Sequence, residues 1–295
     1  MRVLYNRKFL KHNKDSQAEG GYRLADFSEH YEDDDCNGEE YISLIHTEKY
    51  KEQIRNACFD HERLAEVNLT PDSYNAAISA VGLSIMASEQ GDFAAIRPPG
   101  HHAGRESFSG FCFFNNVAIA AQYLVNKGKR VFVFDFDGHH GDGTQSIFYD
   151  TDQVFYSSIH QAFTYPYSGS AAETGIGEGE GYTLNIPIMP GAGDKAFLQA
   201  LDIVIARAHQ FEPDVVAVSA GFDGYDKDLL LGLKYSTKGF YECGFRLRRA
   251  FSQLFAVLEG GYHTELRECT AAFVSGVNVG SRPIRNGFDH NMSIG

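Results

Sequence analysis

Seven short apolar runs, at residues 2–5, 93–96, 130–135, 154–159, 183–188, 215–219 and 254–258, recur along the chain with helical patterns between several of them. Strands that alternate with helices pair in parallel and need cover on both faces, so the chain is predicted to be an α/β protein with a central, mostly parallel sheet. Three helical segments can be placed directly. Thr70-Pro71-Asp72 reads as an N-cap with proline in the first turn, followed by Tyr74, Ala77, Ile78, Val81 and Ile85 on one face. A second helix starts near Asn115 or Asn116 and runs over 117–127; a third spans 194–210 with Phe197, Leu201, Val204, Ile205 and Ala208 as its buried stripe. These stripes are read as core.

The chain has 295 residues, 43% of them hydrophobic, enough for one large core. No internal repeat or low-complexity linker divides it, and the strand–helix rhythm continues almost to Val277, so residues 1–295 are expected to form a single domain. A net charge of −13 argues against a nucleic-acid partner, which calls for a basic face. The five cysteines form no C-x-x-C pair and are odd in number, which suggests neither a disulfide framework nor a thiolate zinc finger. No signal-peptide core and no run of 18 apolar residues is present, so no membrane partner is expected and the expected compartment is the cytoplasm. The acidic stretch 29–40 is read as a solvated loop.

Each long glycine-rich loop follows a strand: 97–110, 136–143, 160–181, 220–235 and 259–263. Loops of that kind in a compact domain are usually functional, and ligands of open α/β sheets bind beyond the carboxyl ends of strands. The densest is Asp135-Phe-Asp-Gly-His-His-Gly-Asp-Gly143. Asp137 and His139, two residues apart, can grip one ion, and Asp223 can add a third ligand from another strand end. Two carboxylates and one imidazole suit zinc, or iron(II) under other availability, and three protein ligands leave a position open for water. Hydrolysis is then the natural chemistry. His101, His102 and Tyr262 can supply a base and an oxyanion donor, with Asp135 and Asp142 orienting the histidines. Both His-His pairs, 101–102 and 139–140, are read as functional, whereas His12, His30, His46, His61, His209, His263 and His290 are read as structural.

Taken together, Arg97-Pro-Pro-Gly-His-His-Ala103, Gly110-Phe-Cys-Phe-Phe-Asn-Asn116, residues 135–144, Ser219-Ala-Gly-Phe-Asp223 and Glu259-Gly-Gly-Tyr262 resemble the zinc-dependent histone deacetylase and acetylpolyamine amidohydrolase family, in its class II and prokaryotic branch. The likeness runs from about Phe93 to Val277, and the first ninety residues match only loosely. It implies an arginase-like three-layer α/β/α sandwich. It also implies one zinc ion on Asp137, His139 and Asp223, with His102 paired to Asp142 as general base and then acid. His101 paired to Asp135 would be largely electrostatic, and Tyr262 would polarise the amide carbonyl. A potassium ion is implied near Asp135, Asp137, His139, Ser158 and Ile159, and a narrow channel walled by Phe111 and Tyr165, with Gly110 allowing close passage of the chain.

There are departures from the family pattern. Asp228-Leu229-Leu230 replaces the usual aspartate-proline pair, leaving that loop's geometry open, and Leu230 stands where polyamine-selective members can carry an acidic gatekeeper. The early histidine-proline-glutamate-arginine segment is absent, with His12 and Arg23 as vague stand-ins, so no acetate-exit residue is assigned. The implied activity is hydrolysis of an acyl amide on a lysine side chain of a protein or peptide, with acylated polyamines as the nearest alternative; an oligomer is possible. Two rivals are carried. An arginase-type ureohydrolase with two manganese ions would need a second aspartate two residues after Asp223, where Tyr225 stands. A catalytically silent acyl-lysine binder is disfavoured by the presence of Tyr262.

Overall fold

A computed structural model describes residues 1–281 of the chain, so His290 and the rest of 282–295 lie outside the described residues. The elements, in order, are β1 (Val3–Leu4), α1 (Phe27–His30), α2 (Glu48–Phe59), β2 (Arg63–Leu64), β3 (Val67–Asn68), α3 (Pro71–Gln90), β4 (Phe93–Ala94), α4 (Asn116–Asn126), β5 (Val131–Asp135), α5 (Asp142–Phe148), β6 (Val154–Gln161), β7 (Thr183–Ile188), α6 (Asp194–Phe211), β8 (Val215–Ala220), α7 (Thr237–Ala250), β9 (Leu254–Leu258) and α8 (Leu266–Gly280). All seven apolar runs become strands of one sheet in the order β1-β4-β9-β8-β5-β6-β7, and every neighbouring pair is parallel. Helices α2, α3 and α4 pack together on one side, and α6, α7 and α8 on the other, giving the three-layer α/β/α arrangement. The strands β5 and β9 are buried at every residue, as a sheet covered on both faces requires.

The order reverses at β5: the chain moves outward through β6 and β7, then returns to place β8 on the other side of β5. A crevice at such a switch point opens at the carboxyl ends of the two strands, and here those ends carry the Asp137–His139 and Asp223 loops.

Local chemistry explains the helix boundaries. The Thr70 side chain accepts from the Ser73 amide, while Ser73 accepts from the Thr70 amide, closing a capping box with Pro71 next in line. Asn115 caps α4 by accepting from the Ala118 amide at 3.0 Å. Helix α3 is buried on more than one stripe: Ala76, Ala80, Leu83 and Ala87 are covered in addition to Tyr74, Ala77, Val81 and Ile85, while Ile78 is only partly covered.

The acidic stretch is largely exposed, as the solvated loop read in the sequence is, and it also contacts the chain just past β1. Asp33 bridges to Tyr5 in parallel, the Asp34 amide donates to the Tyr5 carbonyl at 2.7 Å, and Asp33 accepts from the Arg7 amide at 2.8 Å. Backbone and carboxylates thus satisfy the open edge of the sheet beyond β1, where unpaired strand groups would otherwise face water. Either end of the stretch joins helical turns, at Phe27–His30 and Glu39–Leu44.

Candidate active site

The ends of β5 and β8 bring Asp137, His139 and Asp223 together, with their coordinating atoms all within 4.8 Å of one another. His139 Nδ1 lies 2.7 Å from Asp223 Oδ2 and 3.3 Å from Asp137 Oδ1. The carboxylates are held by the backbone: the Gly260 amide donates to Asp137 Oδ2 at 2.7 Å and the Gly138 amide to Asp223 Oδ1 at 2.6 Å. A side chain on Gly260 would begin 2.5 Å from Asp137 and 2.7 Å from Asp223, so only glycine fits between them. Burial and the neighbouring Asp137 charge push the Asp223 carboxyl up to about 7. Burial works against a charged His139, yet the Asp223 and Asp137 carboxylates outweigh it and lift the ring to about 10. Two buried carboxylates converging on one imidazole form a site that calls for a cation, and the donor set fits a divalent ion.

Above this cluster stand the two histidines of the 97–110 loop. His101 Nδ1 lies 3.1 Å from Asp135 Oδ2, and His102 Nδ1 lies 2.7 Å from Asp142 Oδ1. Asp142 is the first residue of α5, so helix and partner arrive together. The two rings differ in charge state. His101 is driven well above the ordinary imidazole value, because Asp137 and Asp135 overcome its burial. His102 is driven down to about 4 by burial and by the adjacent His101, which leaves it neutral at pH 7.

A cleft of about 450 Å³ opens over these groups. Its walls include Gly110, Phe111, Tyr165 and Leu230, together with His102, His139 and Tyr262. Gly110 has φ +50°, and a Cβ there would begin 2.3 Å from the His102 ring. Phe111 and Tyr262 face each other with ring centroids 6.0 Å apart. The Tyr262 hydroxyl is held well above its ordinary pKa by burial and therefore keeps its proton.

Sequence patterns recognised by family match this chain to the histone deacetylase domain over residues 11–277. The chain belongs to the histone deacetylase family. It is 34% identical over 299 residues to a probable deacetylase of Archaeoglobus fulgidus, covering 89% of this chain and 81% of that protein. It is 37% identical over 224 residues to acetylpolyamine amidohydrolase 1 of Pseudomonas aeruginosa, covering 72% of this chain and 63% of that protein. Among solved structures, the HDA15 HD domain superposes with a TM-score of 0.86 at 28% identity, over 92% of this chain and 87% of that one.

The histone deacetylase match begins at residue 11, so the likeness reaches well before Phe93, into the segment that the sequence reading left loose. The structure shows what that segment does. Arg23 is 2% exposed and lies under Tyr262, with its guanidinium carbon 4.7 Å from the ring centroid. It donates to the Gly261 carbonyl at 2.7 Å and the Glu259 carbonyl at 2.6 Å. Glu19 binds Arg23 on one side and the buried Arg97 on the other, and His12 Nε2 lies 3.3 Å from it. Glu19 and Arg23 stand four residues apart, a signal in the sequence that no apolar pattern marks.

Other supports also lay outside the sequence reading. Glu259 accepts from the Gly100 and His101 amides at 2.7 and 3.1 Å and from Ser219 at 3.1 Å, fastening the two-histidine turn to β9. Asp228 settles the geometry of the loop that lacks proline: it accepts from the Leu230 amide at 2.8 Å and the Tyr262 amide at 2.7 Å. Tyr225 donates to Glu265 at 2.7 Å and packs 4.8 Å from the His263 ring, apart from the cation cluster. Ala18, Ala65, Glu66 and Thr164 complete the cleft, three of them from the N-terminal part. His140 is not among the cleft residues and is 1% exposed. His46 accepts from the Asn115 amide at 2.9 Å and so serves the α4 cap. Among the described residues, no helix is long and apolar enough to cross a membrane.

Proposed function

We propose that this chain is a zinc-dependent amidohydrolase that removes an acyl group, acetyl in the first instance, from the side-chain nitrogen of lysine. The observation that carries the reading is the convergence of the Asp142-held His102, the protonated Tyr262 and the Asp137–His139–Asp223 donor set on one cleft. A zinc ion held by those three residues would supply Lewis acidity toward the amide carbonyl and a water.

The chain's own groups do the rest. His102, its Nδ1 committed to Asp142, has Nε2 free to take a proton from the attacking water and to return it to the leaving amine. His101, charged beside Asp135 and Asp137, favours negative charge developing nearby. Tyr262 donates its hydroxyl proton in a hydrogen bond to the carbonyl oxygen as it gains charge. Phe111 and Tyr165 flank the methylene stem, Gly110 keeps the wall thin, and Leu230 offers an apolar rim. A potassium ion near Asp135, Asp137, His139, Ser158 and Ile159 belongs to the same proposal; Asp135 and Ser158 are register partners on β5 and β6.

An acylated polyamine is the second substrate reading. It is favoured by Glu66, at the mouth of the cleft between β2 and β3, and by a net charge of −13, both of which attract a cationic amine. The name of the Pseudomonas relative points the same way. The apolar Leu230 favours lysine. Rates of zinc-loaded protein on a matched panel of acetyl-lysine peptide, acetylspermidine and a longer acyl-lysine decide between them. Binding without cleavage across the panel would overturn the enzyme reading in favour of a silent binder. Metal analysis adds a second check: one zinc per chain agrees, and two manganese ions would mean a ureohydrolase. A cytoplasmic setting completes the reading.

A further inference from the structure

His140 and the loop that carries Tyr165 are joined below the cleft by a chain of hydrogen bonds that the hydrolytic steps leave unused. His140 Nδ1 lies 2.8 Å from Ser168 Oγ, and its Nε2 lies 2.9 Å from Gln145 Oε1. The same Gln145 oxygen accepts from Asn185 at 2.6 Å, and Gln145 Nε2 donates to Glu173 Oε2 at 2.6 Å. Glu173 in turn gathers its own loop, because Oε1 accepts from the Gly169 and Ser170 amides at 3.1 and 2.8 Å. Gln145 is 8% exposed and sits on α5, one turn after Asp142. Tyr165, three residues before Ser168 in the same loop, stands 5.1 Å from the His102 ring, centroid to centroid, and shares a hydrogen bond with Ser109.

We propose that Gln145 is a positioning residue that ties the loop bearing the aromatic wall Tyr165 to the helix that starts at Asp142, so that the wall of the substrate channel is set by one buried node. The inference rests on the hydrolytic reading of the cleft. Chemistry at the node demands an amide: one oxygen must accept from both His140 and Asn185, while one nitrogen donates to a carboxylate. An apolar side chain would leave those partners unpaired in a buried layer, and the loop would lose its hold on α5. Tyr165 is 39% exposed; Ser109 and the His102 ring hold its outer end, and the anchorage of its own loop at residues 168–170 supplies the hold on its backbone.

The test compares Gln145→Met, Glu173→Gln and the exchanged pair Gln145→Glu with Glu173→Gln. In the exchanged pair one amide again faces one carboxylate. Steady-state KM and kcat are measured on an acetyl-lysine peptide, and hydrogen exchange is followed over residues 165–173. Each single variant is expected to raise KM about tenfold, the effect of losing one hydrogen bond to a charged group, with kcat within about threefold of the parent. Exchange in that segment should quicken, and the exchanged pair should bring KM and exchange back toward the parent. Unchanged exchange in both single variants, a fall in kcat at constant KM, or an exchanged pair no better than the singles would overturn the proposal. If Gln145→Met does not fold, Glu173→Gln, at a half-buried residue of a largely exposed loop, makes the same comparison against the exchanged pair. If the parent protein hydrolyses no acyl amide, the hydrolytic reading fails by itself, and the exchange pattern still decides whether Gln145 holds the loop.

Discussion

At the scale of single residues, the site separates groups of the same type by their surroundings. His101 and His102 are neighbours in sequence with ring centroids 4.0 Å apart, yet one is pulled toward the charged form by two carboxylates and the other is kept neutral by burial beside it. Such a split suits a pair in which one ring stabilises charge and the other moves a proton. Tyr262→Phe should keep the metal and the fold but lower kcat by roughly 10²–10³-fold, as the loss of one oxyanion donor does; an unaltered kcat would remove Tyr262 from the reaction. Asp142→Asn keeps the shape beside His102 Nδ1 while removing the charge, and activity should fall about 10–100-fold. Both residues were singled out in the sequence because the proposed hydrolysis needs these residue types. The turn of His140 away from the cleft was not, since two histidines in a row read alike until the backbone aims them.

Among elements, the helix starts and the strand ends divide the labour. The α3 cap governs stability alone: Thr70→Ala opens its capping box and should cost about 1 kcal/mol in urea unfolding, with kcat unchanged. The strands were readable because a buried parallel strand has to be apolar throughout, and all seven runs appear in the sheet. Helices α2, α7 and α8 were not singled out in the sequence. In α2 the buried Tyr50, Ile54, Ala57 and Cys58, and in α7 the buried Phe240, Cys243, Gly244 and Leu247, keep helical spacing, but the stripes are narrow and flanked by polar and charged residues, and they are covered by α3 and α8. The acidic segment at 33–35 is exposed or half-exposed, as its charge indicates, but nothing in the charge pattern reveals that it also caps a sheet edge.

For the whole molecule, stability and function meet where the N-terminal segment is locked beneath Tyr262. Glu19 keeps its carboxyl well below the usual range, because Arg97 and the His12 contact outweigh its burial. His46 and His160 are driven down to about 4 and about 3 by burial, so the unfolded chain takes up protons that the folded one refuses. A histidine with a depressed folded pKa contributes full stability above its unfolded value near 6.5 and loses it as pH falls toward the folded one. Stability should therefore decline from about pH 6.5 downward, by up to about 1.4 kcal/mol per pH unit for each such ring until its folded value is reached, and proton uptake by Glu19 of the unfolded chain below its ordinary value of 4.5 prolongs the decline. Urea midpoints at pH 7, 6 and 5 check this, and a flat series would contradict it. Chelation should abolish turnover and lower the melting temperature, with zinc restoring both; zinc at 100 times its Kd stabilises by about 2.7 kcal/mol.

The sequence by itself determined the class of fold, the seven strands and the meeting of Asp137, His139 and Asp223, since buried parallel strands admit few residue types and so does a donor set that fits a divalent ion. Only the tertiary structure decided which groups hold them there. The bonds of Arg23 to the Gly261 and Glu259 carbonyls, of Glu259 to the Gly100 amide, of Asp228 to the Tyr262 amide and of Gln145 to Glu173 each join residues at least 28 apart. Contacts of that kind follow from how loops close on one another, and no local spacing in the chain records them.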